Sequence, residues 1–199
     1  MKKANYHHGD LKNSIFKSCH KLLQKNKPQE ISLRTVADMA GVSHTAIYRH
    51  FKDKEELLEV MASYGFERLA RSQKKAFDHA SNPKKGFVSL GLAYIKFALT
   101  NPNYYRLMFQ TKTANPSQEL RRSQIRSYSV LVSSCKNYLE YKNKKTNHRE
   151  YAVMAWSLVH GYSNLLIETD FPKSEANSLK KNVLGLAEDI LNQAIDSSL

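Results

Sequence analysis

Apolar residues recur at spacings of three and four from the start of the chain. Leu11, Ile15, Cys19, Leu22 and Leu23 mark one face of a helix over about residues 8–26. Lys12, Lys17, Lys21 and Lys25 fall mostly on its wet side, and Asn26-Lys27-Pro28 ends it. A second helix begins at Ser32, whose hydroxyl can cap free backbone N–H groups while Ile31 staples onto Val36. Leu33, Val36, Ala37 and Ala40 form its buried face, and Gly41 tolerates the left-handed conformation that closes a helix. The same grammar follows at once: Ser43 caps, Val42 staples to Ile47, and a short third helix runs to about His50. Two short helices separated only by Gly41-Val42-Ser43 predict a helix-turn-helix. Asp53-Lys54-Glu55-Glu56 then reads as a capping box opening a fourth helix, with Leu57, Leu58 and Met61 as its first core residues.

The third helix carries apolar residues on one side only. With Ile47 at the core, a rotation of about 100° per residue puts Phe51 beside it and sends Thr45, Tyr48 and Arg49 outward. Ser43, His44 and Thr45 form the N-terminal end, the part of such a helix that enters a major groove. Thr45 can bond a base edge or touch a thymine methyl, and His44 can bond a base or phosphate. Tyr48 and His50 can reach phosphate oxygens. Alternatively, Tyr48 packs its ring between helices and His50 satisfies a backbone carbonyl. Lys54, beside the free N–H groups of the fourth helix, makes a phosphate clamp, against which the neighbouring glutamates work.

Charge supports the same segment. The net charge is +13, and residues 1–54 hold eleven Lys or Arg against four acids, while the other 145 residues hold twenty against fourteen. Five of the eight histidines also lie in the first 54 residues. A polyanion is the natural partner, nucleic acid or an anionic membrane surface. Peripheral membrane binding would need an exposed apolar helix face, and the first helix needs its own for the helix-turn-helix core.

The rest of the chain reads as helices over about residues 54–79, 84–100, 103–110, 117–141, 148–169 and 175–197, with a loop at 111–116 and a charged linker at 142–147. Seven Gly and five Pro are few, so the expected fold class is all-α. No run is long enough for a membrane span and none near Met1 resembles a signal peptide, which predicts a cytoplasmic protein. No GxSxG elbow, phosphate-cradling Gly loop, HExxH or acidic pair on one helix face is present, so enzyme activity is not expected. No cofactor or metal is implied: Cys19 and Cys135 sit in no CxxC or Cys/His cluster. They read as buried small hydrophobes, with a redox-sensing role as the alternative.

The stretch from Tyr6-His7-His8-Gly9-Asp10-Leu11 to Leu58 resembles the TetR family of bacterial regulators. Its most specific portions are Leu33-Arg34-Thr35-Val36-Ala37, Ala40-Gly41-Val42-Ser43, Ala46-Ile47-Tyr48-Arg49-His50-Phe51 and Lys54-Glu55-Glu56-Leu57-Leu58. Ala46-Ile47 stands where Thr-Leu or Ser-Leu is commoner, which keeps the core position apolar but removes a polar contact. The resemblance implies a homodimer with a DNA-binding domain at 1–56 and a helical ligand-binding and dimerisation domain at 57–199. It implies a repressor that binds a palindromic operator in double-stranded DNA and is released by a small-molecule effector; a constitutive DNA-binding regulator is the alternative. It adds Arg34 and Thr35 to the candidate DNA contacts Ser43, His44, Thr45, Tyr48, Arg49, His50 and Lys54.

Asn101-Pro102-Asn103-Tyr104-Tyr105-Arg106-Leu107-Met108-Phe109 and Trp156-Ser157-Leu158-Val159-His160-Gly161 resemble a C-terminal class of that family marked by Trp-x-x-x-His-Gly. Trp156 and His160 share a helix face, either as a core contact with Gly161 at a helix crossing or as part of a ligand site. Phe97, Tyr104, Tyr105, Met108, Phe109 and Tyr128 are either plain core or the rest of that pocket. Val159 and Leu166, with Val183, Ala187, Ile190, Leu191 and Ala194 on the last helix, are either core or, by the resemblance, a four-helix dimer interface.

Overall fold

The computed structural model describes residues 8–109, 115–169 and 182–197. Nine α-helices account for the regular structure there, apart from one short 3-10 turn, and the fold is all-α. They are α1 (His8–Leu23), α2 (Leu33–Ala40), α3 (His44–Ile47), α4 (Lys54–Asp78), α5 (Pro83–Thr100), α6 (Pro102–Phe109), α7 (Gln118–Tyr141), α8 (His148–Glu168) and α9 (Val183–Ser197). Tyr6, His7, most of the 111–116 loop and the expected helical segment at 175–181 lie outside the described residues.

The helix ends follow local chemistry. Asn82 Oδ1 accepts from the Lys85 N–H at 2.9 Å, with Pro83 as the first helical residue of α5. Ser117 Oγ accepts from the Leu120 N–H at 3.3 Å at the start of α7, and Asn147 Oδ1 from the Arg149 N–H at 2.9 Å at the start of α8. α1 stops three residues before its expected end, and Pro28–Glu30 forms the 3-10 turn that the periodicity did not anticipate. Its cause is local: Lys27 is held extended before the proline, and its N–H donates to the Glu30 carboxylate at 3.2 Å.

The helices group into two compact units. The first runs up to Gly65 and includes Asn103–Ser123; the second comprises Phe66–Pro102 and Gln124 onward. The helices of the helix-turn-helix thus share a unit with α6. In the first unit α1 packs on α2 and α2 on α3. Ile15, Cys19, Leu23, Val36, Ala37, Ile47, Phe51, Leu57 and Met61 are buried there. Tyr104 of α6 is buried as well, with its hydroxyl hydrogen-bonded to His20 Nδ1 at 2.7 Å.

The second unit is built around α5, on which α8 and α9 pack. Gly91 makes that approach possible: a Cβ there would lie 2.9 Å from Leu191 Cδ1 and 3.4 Å from Val159 Cγ1. Phe87 stacks on Tyr138 with centroids 5.2 Å apart and planes 2° from parallel, and Tyr151 closes the group. Burial pushes the Cys19 and Cys135 thiols up to about 12. Both are free and buried, which favours the packing reading over redox sensing. Among the described residues no helix is long and apolar enough to cross a membrane.

Candidate nucleic-acid interface

The turn between α2 and α3 is fixed at every joint. Ser32 Oγ accepts from the Thr35 N–H at 3.1 Å, and Thr35 Oγ1 accepts in return from the Ser32 N–H at 3.1 Å. Gly41 closes α2 at φ 69° and ψ 33°, a left-handed conformation that costs a residue with a side chain more than it costs glycine. Two residues later Ser43 Oγ accepts from the Ala46 N–H at 3.2 Å and starts α3. Regular α-helix ends at Ile47, short of the expected His50, and the chain continues as a tighter turn: His50 and Phe51 both donate to the Ile47 carbonyl at 3.0 Å.

Ile47 is fully buried, and this sets the direction of its neighbours. Arg34, Thr35, Ser43, His44, Thr45, Tyr48 and Arg49 are exposed, while His50 and Lys54 are half-buried. Tyr48 is 59% exposed, so its ring does not pack between helices in this chain. The structure therefore leaves Arg34 and Thr35 of α2 and Ser43, His44, Thr45, Tyr48 and Arg49 of the α3 segment at the surface, with His50 and Lys54 partly covered.

Three of these side chains carry constraints that spacing alone did not show. His44 Nε2 lies 2.8 Å from Asp38 Oδ1, so one edge of the imidazole is tied to the last turn of α2 and only the Nδ1 edge stays open. Thr35 Oγ1 donates to the Ser32 carbonyl at 2.8 Å, so its hydroxyl serves the cap first. Lys54 Nζ donates to the Gln29 carbonyl at 2.9 Å, which anchors the ammonium and leaves its other protons for a phosphate. Asp38 was missed; its placement six residues before His44, across a tight turn, was the available signal. At the start of α4, Asp53 Oδ1 accepts from the Glu56 N–H at 2.8 Å and Glu56 Oε2 from the Lys52 N–H at 2.7 Å. These carboxylates occupy donors that an anion would otherwise find.

The residues considered for an effector separate between the units. Tyr104, Tyr105 and Met108 are buried and Phe109 half-buried in the first unit. In the second, Phe97 is buried, Tyr128 and His160 are half-buried, and Trp156 is 37% exposed. Trp156 Nε1–H donates to the Tyr94 hydroxyl at 3.4 Å, and that hydroxyl is hydrogen-bonded to His160 Nδ1 at 2.8 Å. Burial holds the His160 pKa below its ordinary value, which favours the neutral imidazole. Tyr128 flanks Trp156 with ring centroids 6.0 Å apart.

The surface considered for self-association is redrawn by packing. Val159, Ala187 and Leu191 are buried within the chain, the first and last against Gly91, so they cannot form an outer face. Leu166, Val183, Ile190 and Ala194 are half-buried. Gly161 meets nothing within 4 Å of its Cβ position, so among the described residues it marks no helix crossing. The exposed large apolar residues of these two helices are instead Val153, Met154, Trp156 and Leu165 on α8 with Leu184 and Leu186 on α9. Val153, Ser157, Gly161 and Leu165 follow one another at intervals of four, which makes a single stripe.

Residues 15–61 match the family model for bacterial regulatory proteins of the TetR family, and residues 87–184 match a tetracyclin repressor-like C-terminal domain. An uncharacterized HTH-type transcriptional regulator of Haemophilus influenzae is 27% identical over 158 residues, covering 77% of this chain and 75% of that protein. A solved protein of unknown function from Rhodococcus sp. RHA1 is 26% identical with a TM-score of 0.75, covering 95% of this chain and 97% of the other. FadR of Bacillus subtilis, solved with stearoyl-CoA, shares the fold at a TM-score of 0.69 and 13% identity, over 91% of this chain and 96% of its own. The two family matches lie in the expected order, and the first spans the capped α2–Gly41–α3 turn with its exposed edge: the chain belongs to the TetR family of DNA-binding transcriptional regulators.

Proposed function

We propose that the protein is a homodimeric repressor that reads a palindromic operator and leaves it when a small molecule binds. The observation that carries this reading is the exposed set of Arg34, Ser43, His44, Thr45, Tyr48 and Arg49 around a fully buried Ile47, with Lys54 half-buried at the start of α4. In this reading residues 1–56 are the DNA-reading domain and 57–199 the effector and dimerisation domain. Thr45 is the base reader; Thr35, Tyr48, Arg49, His50 and Lys54 position the protein on phosphates. A two-fold protein presents two equivalent reading helices, so the operator is a pseudo-palindrome.

Thr45→Ala should weaken operator binding by about 1–3 kcal/mol, roughly 5- to 150-fold, and leave binding to random DNA nearly unchanged. Equal losses on both duplexes would remove Thr45 from base reading. Lys54→Ala should lower both affinities together and flatten the dependence on salt by about one unit of slope. An unaltered slope would show that its ammonium does not reach phosphate.

For the effector, the cluster of Tyr94, Tyr128, Trp156 and His160 offers aromatic faces around a neutral imidazole. A ligand releases the operator only if it binds the DNA-incompetent state more tightly, and coupling of about 1–3 kcal/mol weakens operator binding about 5- to 150-fold. Linkage then requires the operator to weaken the ligand by the same factor. Stearoyl-CoA, the ligand of the Bacillus subtilis neighbour, is a first probe. Titrations with and without saturating operator should differ by that factor, and equal affinities for every ligand tried would favour a constitutive binder.

A further inference from the structure

Asp38 is an exposed acid beside the reading helix, and stability does not account for it. Its carboxylate lies 2.8 Å from His44 Nε2, and both side chains are exposed. Arg34, one turn earlier on α2, has a spacing at which a cation can meet an acid, yet the two form no ion pair. In the last turn of α2 a negative charge opposes the helix dipole. The α2–α3 turn is already closed by Gly41, Ser43 and the buried Ile47, and an exposed pair adds little to that. In a DNA-binding helix pair an acid also repels phosphate, so its presence calls for a gain elsewhere.

The gain lies in the proton on His44. An ionised carboxylate only accepts, so Nε2 carries the proton in this contact. In the neutral ring that single proton leaves Nδ1 as a bare acceptor, and Nδ1 has no partner among the described residues. A bare acceptor cannot bond a phosphate oxygen, which also only accepts. In a major groove it can bond the amino group of adenine or cytosine, whereas guanine N7 and O6 and thymine O4 would set acceptor against acceptor. With Nε2 tied to α2, the ring cannot turn to offer its other nitrogen.

We propose that Asp38 determines what His44 reads: it holds the Nε2 proton and fixes the ring, so that Nδ1 selects adenine or cytosine on the strand it faces. Asp38 touches no base and is a positioning residue. His44 joins Thr45 as a base reader and is not a phosphate contact. Without the carboxylate the imidazole can turn and exchange tautomers, and a nitrogen that bears a proton approaches guanine or thymine as well. What is lost is discrimination at one position rather than affinity for DNA as such. The inference rests on the reading role given to α3 above.

The test uses a duplex that the full-length parent selects from a randomised library, together with every single-base substitution of it. Titrations run at about pH 8, the upper end of the range in which histidine changes charge. Asp38→Ala, Asp38→Asn, His44→Ala and the double alanine variant are compared with the parent. All of these positions are exposed, so none of the changes touches the core. At one position of the recognised motif the parent should prefer adenine and cytosine over guanine and thymine by about 2- to 10-fold, the worth of one neutral hydrogen bond. Asp38→Ala and His44→Ala should both flatten that preference at the same position, and the double variant should lose no more than either. Asp38→Asn keeps an accepting oxygen and should restore part of it. A uniform gain on every duplex with unaltered base preference would mean that Asp38 acts through its charge alone, and overturns the proposal. An effect of Asp38→Ala that is as large without His44, or that falls at another position, overturns it too. Thr45→Ala, run in parallel, separates this inference from the reading it rests on. Discrimination lost there but kept in His44→Ala overturns the inference and leaves reading by α3 standing, while discrimination kept in both overturns both.

Discussion

Replacing Ile47 by aspartate should abolish DNA binding on operator and random duplex alike, and should do so by unfolding the reader rather than by removing a contact. Ile47 is fully buried under an edge made of its own neighbours, so a carboxylate there has neither water nor a cation. Such a change costs more than about 4 kcal/mol, a large share of the ~5–15 kcal/mol that holds a typical domain together. The same position tolerates Ile47→Val at roughly 0.5–1.5 kcal/mol, and that variant should bind as the parent does. Thermal unfolding followed by circular dichroism, alongside a binding titration, separates the two. Normal melting of the aspartate variant with lost binding would mean that Ile47 touches DNA and that the orientation of α3 is misread.

In the proposed homodimer, replacing Leu165 by arginine should leave each copy folded and take the pair apart. Leu165 is 54% exposed within one protomer and ends the stripe of Val153, Ser157 and Gly161, so the change removes nothing from the intrachain core. Against a second copy it buries an unpaired guanidinium, and leaving a charge unpaired in an interface costs about 2–5 kcal/mol, roughly a 30- to 5,000-fold weaker association. Sedimentation should show monomer at concentrations where the parent is dimeric, and operator affinity should fall because one reading helix is left to hold half a site. An intact dimer would place the contact on another face. Substitutions at Val159 or Leu191 could not decide the question, since both are core and would unfold the unit first.

The contrast between the two halves shows what one sequence discloses. Around residues 32–58 every local rule agrees: the caps Ser32 and Ser43, the left-handed Gly41 and the single apolar position Ile47 all have one structural solution, and it is the one observed. The edge residues followed because exposure on a short helix is fixed once its buried residue is known. What stayed hidden depends on contacts distant in sequence or on competition for a single atom. Asp38 and Gln29 engage His44 and Lys54 through geometry that periodicity does not encode. In the long helices apolar residues cover more than one face, so spacing could not say which would be spent on α5. Val159 and Leu191 were, while Leu165 and Leu184 were left outside.

The brevity of α3 has a consequence for cooperativity. One turn of helix cannot repay the entropy of its own nucleation, so its order is borrowed from the Ser43 cap, the Gly41 closure and the seat of Ile47 in the core. It has no separate melting transition. The amide of Ala46, bonded to Ser43, should become exchangeable only when the surrounding unit opens, so the lifetime of the reading surface is set by the opening rate of that unit. A substitution deep beneath it, far from any base, would then shorten residence on the operator by shortening the time the reader exists.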